Sequence, residues 1–514
     1  MALYLGLDSS TQGLKGVLID PARGNIVASA AVNFGKDLPD YRCPEGTLPN
    51  PDPLVKHSDP LLWVAALDLL LKRMQADGAP LEQVQGIGGS GQQHGSVYLN
   101  AQAAKILASL DPRQDLVTQL APALSRKTSP IWMDSSTSAE CAEIGKAIGS
   151  RLQTDTGSPA IERFTGPQIR KFYKKEPAAY QETAQIHLVS SFMASVLIGG
   201  SAPIDYGDGA GMNLLNLKTL SWDAGICEAT APGLAAKLPK PVATSTVAGK
   251  LCAYFAKYGL KPGITVATWT GDNPASLVGT GAFRPGLGVI SLGTSDTFFA
   301  VLDPYRTDPA GCGHVFGNPT GGFMCLTCFK NGSLARDRVR TESSVDWDFF
   351  GTAAFAKTPI GNQGKLALPW FEAEITPPVL KPGLRANFDF VAAPAEVRIR
   401  AIVESQALSL RAHSLWIGNF DTLRVTGGAS RSVGILQVLA DVFQASVQTI
   451  AVPDSAALGA AMIAAHVAGG AAYEDLAAKF TPASNTYAPN PAAAPVYAKL
   501  LQEFQAFEAR SATA

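Results

Sequence analysis

The sequence predicts an α/β protein built from two similar domains that face each other across a cleft. Three observations carry this. The chain has 514 residues, too many for one hydrophobic core. Residues 3–20 (LYLGLDSSTQGLKGVLID) and 287–303 (LGVISLGTSDTFFAVLD) share one plan: an apolar strand, a turn of small hydroxyl residues, then a second apolar strand ending on Asp. The second half also holds two strand-to-helix junctions with small residues in the turn, at 264–281 and 423–443. A boundary is expected near Lys261, in a Pro-rich approach to a hinge, giving domains 1–261 and 262–514.

The two hairpin turns offer hydroxyls and backbone N–H groups. Such turns form anion-binding concavities, so each domain is expected to present a phosphate-facing turn to the cleft. Residues 35–60 read as a long surface excursion. Asp59 and Pro60 then open a core helix over 59–76. Residues 84–95 (VQGIGGSGQQHG) contain Gly86, Gly88 and Gly91 in G-x-G-x-x-G spacing, but no helix opens after them, which argues against a dinucleotide turn. Gln92, Gln93 and His94 instead end a strand, either at a cleft edge suited to sugar hydroxyls or in an ordinary loop. Trp132 and Asp134 share a face if extended, as a carbohydrate platform or as a core Trp beside a turn Asp. A helix is expected over 139–152. Arg163 suits a hydroxyl, a phosphate or a surface ion pair. Asp205 and Asp208 either point inward or make turns.

The stretch 268–281 (TWTGDNPASLVGTG) organises the rest. A buried strand over 264–269 meets a tight Thr-Gly-Asp, and a helix begins with Asn273 as cap and Pro274 in its first turn. Asp272 at this junction reads as the catalytic base of a kinase acting on a small hydroxylated substrate, or as a turn residue only. In the second half, residues 358–394 read as a long loop-like insertion. An amphipathic helix follows over 395–415, and Gly427, Gly428, Ala429 and Ser430 form a turn that lets a flat group approach the backbone.

Composition excludes other classes. The chain is 46% hydrophobic and 17% charged with a net charge of −1, so no overall field favours nucleic acid or an anionic membrane. No apolar run approaches the roughly 18 residues of a membrane span. The N-terminus lacks a basic region and cleavage site, which reads as no signal peptide. Seven cysteines suit a reducing cytoplasm, and the lone C-x-x-C at Cys325 and Cys328 reads as zinc ligands or buried strand thiols. None of the four Gly-Lys pairs is followed by Ser or Thr, so there is no P-loop, and H-E-x-x-H and G-x-S-x-G are also absent. Two hydroxyl turns, a nucleoside turn and isolated aspartates are the parts phosphoryl transfer needs.

The ordered set GLDSSTQ, GQQHG, WMDSST, ERFTG, DYGDGAGMNLLN, TGDNPAS, SLGTSDT, CFKNGS, TGGAS and LQVLADVF resembles the xylulokinase branch of the FGGY carbohydrate kinase family, specifically the part that includes the animal enzymes. The resemblance covers roughly residues 3–466 and implies an actin-like, ribonuclease-H-like fold closing on ATP and Mg²⁺, with phosphorylation of D-xylulose at its 5-hydroxyl. It implies Asp272 as general base, with Asn273, His94 and Arg163 as sugar contacts. Gln93 and Asp205 or Asp208 stand nearby as weaker sugar contacts. Asp8 matches the position near Mg²⁺, and Thr11, Gly293 and Thr294 match phosphate contacts. Trp347, Gly427, Gly428 and Ala429 match the adenine and ribose wall. Ser432 stands where the family has Asn, with a shorter reach to the nucleotide. The insertion fits this branch. The expected partner is a small sugar, with no nucleic acid and no membrane; a homodimer is left open.

Overall fold

The computed structural model describes residues 2–452 and 454–512. The first sheet is built from β1 (Leu3–Ser9), β2 (Gly13–Asp20), β3 (Asn25–Asn33), β4 (Val84–Gly91), β5 (Val247–Lys250) and β6 (Thr265–Ala267). Its order is β5-β6-β4-β1-β2-β3. The second sheet comprises β7 (Leu287–Leu292), β8 (Asp296–Leu302), β9 (His314–Gly317), β10 (Phe323–Phe329), β11 (Thr422–Thr426), β12 (Ser446–Ile450) and β13 (Ala483–Tyr487). Its order is β9-β10-β8-β7-β11-β12-β13.

The two sheets repeat one another. Read inward from β3, the first sheet pairs antiparallel, antiparallel, parallel, parallel, antiparallel. From β10, the second sheet gives the same series. The strand β9 is an extra edge. Both hairpins fall at matching places, so the sequence similarity of their tips reflects a repeated architecture.

The hydrophobic pattern explains the layers. Leu3, Leu5 and Leu7 of β1 face helix α1 (Pro60–Ala76), which buries Leu62, Leu67, Leu70 and Leu71; Asp59 caps it by accepting from the Leu61 N–H at 2.9 Å. Tyr4 on the opposite face, with Val17 and Ile19, packs on the Ala-rich helix α5 (Ser455–Gly469). In the second domain, helices α3 (Ala395–Ala412), α4 (Val433–Phe443) and α6 (Ala494–Ala512) cover Val289, Phe298, Leu423 and Val425.

Helix α2 (Asp272–Gly279) carries the central aspartate and crosses α5 at very close range. A Cβ on Gly459 would lie 1.9 Å from the Ala275 carbonyl oxygen, and one on Gly279 would lie 1.8 Å from that of Ser455. Both helices touch backbone to backbone, so a side chain there must move a helix. Gly459→Ala is expected to cost about 1–3 kcal/mol, read as a lowered thermal midpoint. Gly145→Ala, in the helix Ser138–Ile148 with open space around it, serves as the control and should not lower it.

Four expectations need correction. The boundary at 261/262 falls inside the first sheet, because β6 pairs in parallel with β4 and Thr270–Gly271 pairs there too. The expected 139–152 helix is two, Ser138–Ile148 and Arg151–Thr156, broken where Gly149 takes φ +68°. Asn273 does not cap α2; Gly271 is the cap and Asp272 its first residue. The 358–394 segment is not a bare loop, since Ala367–Trp370 pairs with Gly383–Ala386 and Glu374–Ile375 with Pro378–Val379. No helix among the described residues is long and apolar enough to cross a membrane.

Candidate functional site

The ends of β1, β4 and β6 and the start of α2 converge at the cleft. Asp8, near the end of β1, is 6% exposed and accepts from Ser90 Oγ at 2.8 Å. Burial raises its pKa to about 6. Asp272 accepts from the Asn273 N–H at 2.9 Å and from Asn273 Nδ2 at 3.1 Å. Burial first, then the Asp8 charge, raises its pKa to about 7. Asn273 Nδ2 also donates to Gln93 Oε1 at 3.0 Å, which ties α2 to the end of β4.

Beside this pair stands His94, held at φ +71°. A non-glycine residue is rarely left in that region unless its surroundings impose it. Here His94 Nδ1 donates to the Gly211 carbonyl at 2.8 Å, and the ring stacks on Phe164 at 4.3 Å. That bond leaves Nε2 unprotonated as an acceptor, and burial with the Arg163 charge pushes the pKa down to about 3. Polar groups without protein partners cluster here: both amide atoms of Gln92 and Nε2 of Gln93. Buried polar groups carry a cost unless a ligand or water bonds them, so they are suited to hydroxyls.

Arg163 lies at the far wall, where among the described residues no carboxylate is in ion-pair range; its Nη2 donates to His314 Nε2 at 3.0 Å. Cys328, from β10 of the second domain, senses the charges of both Arg163 and Asp272. The C-x-x-C is not a metal pair: among the described residues no three His, Cys, Asp or Glu side chains are grouped to hold an ion, and Cys325 is buried against the Ala300 carbonyl. All seven cysteines are free.

Four residues singled out in the sequence are engaged with protein partners. Asp205 is fully buried, accepts from the Gly207 and Asp208 N–H groups and from Thr244 Oγ1, and so caps the short helix Tyr206–Ala210. This corrects its expected place among the sugar contacts. Asp134 accepts from the Lys56 N–H, Ser136 and Gln168 as a buried hub, while Trp132 is exposed and donates to Thr11 Oγ1 at 2.8 Å. They share no face, because the chain turns between them. Ser432 caps α4 by accepting from the Ile435 N–H and donates to the Gly351 carbonyl. Its hydroxyl is thus engaged at the helix start and with the Gly351 carbonyl.

Across the cleft, Gly293 and Thr294 tip the β7–β8 turn, with Thr294 exposed. Asp296 closes that turn through two bonds to Arg336, at 2.7 and 2.8 Å. Gly427 and Gly428 are exposed at the end of β11, and nothing lies within 4 Å of a Cβ built on Gly428. Trp347 is 51% exposed, with Arg340 over its ring at 5.0 Å, and starts the segment whose Gly351 meets Ser432.

Comparison with known proteins settles what this assembly belongs to. The N-terminal-domain profile of the FGGY family of carbohydrate kinases matches residues 124–279, and the C-terminal-domain profile matches 288–468. A xylulose kinase of Rattus norvegicus is 42% identical over 523 residues, covering 98% of this chain and 96% of that protein. The chain belongs to the FGGY family of carbohydrate kinases. The gap between the two profiles, 280–287, agrees with a boundary after α2. The kinase superposes on a xylulose kinase structure from Rhodospirillum rubrum with TM-score 0.84 at 22% identity, covering 99% of this chain and 98% of that one. It also superposes on a Plasmodium falciparum glycerol kinase with TM-score 0.78 at 15% identity, covering 99% and 97%. The shared fold is therefore two actin-like α/β domains. A carbohydrate kinase takes ATP as co-substrate.

Sequence reading missed His314, Phe164 and Cys328. His314 lies 151 positions from Arg163 and is flanked by Gly313 and Val315, with no local pattern to mark it.

Proposed function

We propose that the kinase transfers the γ-phosphoryl group of ATP to the 5-hydroxyl of D-xylulose, giving D-xylulose 5-phosphate and ADP. The observation that carries this is Asp272, set at a helix start beside the unpartnered Gln92 amide and Gln93 Nε2, with its carboxyl raised to about 7 by burial and then by the Asp8 charge. The choice of sugar is supported by the 42%-identical relatives, which are xylulose kinases of Rattus norvegicus and Mus musculus.

In the proposed reaction Gln93, His94, Arg163 and Asn273 hold the sugar, with His94 Nε2 accepting from a hydroxyl and Arg163 donating. The 5-oxygen attacks the γ-phosphorus in line, and its proton passes to Asp272. The bond from that phosphorus to the β–γ bridging oxygen breaks, and its electron pair leaves on ADP. Thr11, Gly293 and Thr294 donate to phosphate oxygens, while Trp347, Gly427, Gly428 and Ala429 border the adenosine. Holding the reactants in line supplies much of the rate, up to roughly 7–11 kcal/mol of barrier.

Magnesium fits the residues present. A buried carboxylate without a full protein ligand set suits an ion that keeps its waters and arrives with phosphate oxygens. Asp8 would hold it, and when bound it neutralises charge on the phosphates. A cytoplasmic location accords with seven free thiols.

The test is coupled ADP release with MgATP and D-xylulose, D-ribulose, L-xylulose or glycerol at equal concentration. D-xylulose is expected to stimulate release at least tenfold more than the others. A stronger response to another sugar moves the assignment to that sugar, and ATP hydrolysis indifferent to all four overturns it.

A further inference from the structure

The wall that holds Arg163 is made by both domains. Residues 153–164 of the first half are stitched to the second. Gln153 Nε2 donates to the Asp308 carbonyl at 2.6 Å, Tyr305 Oη donates to the Thr154 carbonyl at 3.0 Å, and the Val315 N–H donates to the Gly157 carbonyl at 3.1 Å. At the inner end of this seam stands His314, 4% exposed, on the edge strand β9.

Both nitrogens of His314 are committed. Nε2 receives Arg163 Nη2 at 3.0 Å. A guanidinium only donates, so Nε2 is unprotonated. Nδ1 then carries the hydrogen and donates to Ser158 Oγ at 3.1 Å. Phe164 meets the His314 ring in an edge contact at 5.3 Å and stacks on that of His94 at 4.3 Å. The imidazole is thus fixed in tautomer and orientation. Its one remaining capacity is to anchor a single nitrogen of Arg163.

We propose that His314 is a positioning residue for sugar binding: from the second domain it pins one end of Arg163 so that the remaining N–H groups present to the sugar in a fixed pose. This rests on the reading of Arg163 as a sugar contact. The logic is preorganisation. A long arginine with no carboxylate partner would otherwise lose its rotamer freedom on each binding event. His314 itself touches no sugar, since it has no free polar atom.

The experiment is steady-state kinetics of the full chain, using whichever sugar of the panel gives the highest turnover. The variants are His314→Asn, His314→Gln, Arg163→Ala and the double variant His314→Asn/Arg163→Ala. Asparagine places a polar atom near the Nδ1 position and keeps the Ser158 side; glutamine reaches the Nε2 position and restores the acceptor. Loss of a hydrogen bond to a charged group predicts a sugar KM raised roughly 10- to 100-fold in His314→Asn, with ATP KM unchanged. His314→Gln should recover to within about threefold of the parent, and His314→Asn should add nothing in the Arg163→Ala background. Equal damage from Asn and Gln, or an undiminished effect of His314→Asn in the absence of Arg163, overturns the proposal. An Arg163→Ala variant with unchanged sugar KM instead overturns the underlying reading of Arg163. Should His314→Asn melt far below the parent, Ser158→Ala takes its place. It frees the ring to turn, and an unchanged sugar KM there overturns the proposal equally.

Discussion

Asp272→Ala is expected to lower turnover by about 10²–10⁴-fold while leaving the KM for ATP within about threefold. The split follows from position. Asp272 bonds Asn273 and faces the first domain's polar wall, whereas the exposed turns at Thr294 and at Gly427 and Gly428 lie on the second. The pH profile gives an independent check. A base must be deprotonated to work, and this carboxyl titrates near 7 because burial and Asp8 oppose its charge. The parent should therefore lose activity as pH falls through about 7 and level off above. Asp272→Asn should lose that limb together with turnover. The same shift has a sign for stability. The folded state binds this proton more tightly than an unfolded chain whose Asp titrates at 3.8, so the favourable contribution present below about 4 is gone above about 7. Asp272→Asn should accordingly melt higher than the parent at pH 8, by up to ~4 kcal/mol in the ligand-free protein. Near-parent turnover in either variant removes Asp272 from its role.

Arg336→Met is expected to cost about 3–5 kcal/mol and to raise the KM for ATP. Asp296 and Arg336 are 3% and 2% exposed in their side chains and meet bidentately. Removing the guanidinium leaves a buried carboxylate with no cation. The damage should reach the phosphate-facing turn, because Asp296 closes it two residues after Thr294. Arg336 is in turn held by Gln406, and Gln406 Nε2 donates to the Asn331 carbonyl at 2.7 Å. Glu374 of the insertion accepts from the N–H groups of Lys330 and Asn331. The segment that reads as a loop therefore buttresses the turn. Asp296→Asn/Arg336→Met should regain part of the stability, since no unpaired charge remains. A thermal midpoint and ATP KM equal to the parent in the single variant would refute this.

What the sequence discloses depends on range. The hairpins, the α1 helix with its Asp59 cap, the strand before Gln92 and the Asp272 junction are local patterns, and they stand where residue spacing puts them. Gly149, whose φ of +68° ends a helix early, is a local signal passed over. The ambiguities of role are of a different kind. Asp205 and Ser432 look like ligands because Asp and Ser are ligand types, yet the same side chains are the preferred helix caps. Only the three-dimensional partner decides between these uses. The Arg163–His314 contact and the Asp296–Arg336 pair join positions 151 and 40 residues apart, and neither leaves a periodicity.

The packing of α5 on the first sheet bears on how the chain is made. One face of the N-terminal sheet, carrying Tyr4, Val17 and Ile19, is covered by residues 455–469, which leave the ribosome long after the strands they cover. Until they emerge, an apolar surface stays open and the N-terminal half is unfinished. A fragment ending after α2 should be insoluble alone and should be rescued when a peptide containing 455–469 is supplied in trans. A circular permutant that begins just before Ser455 should instead complete this domain early.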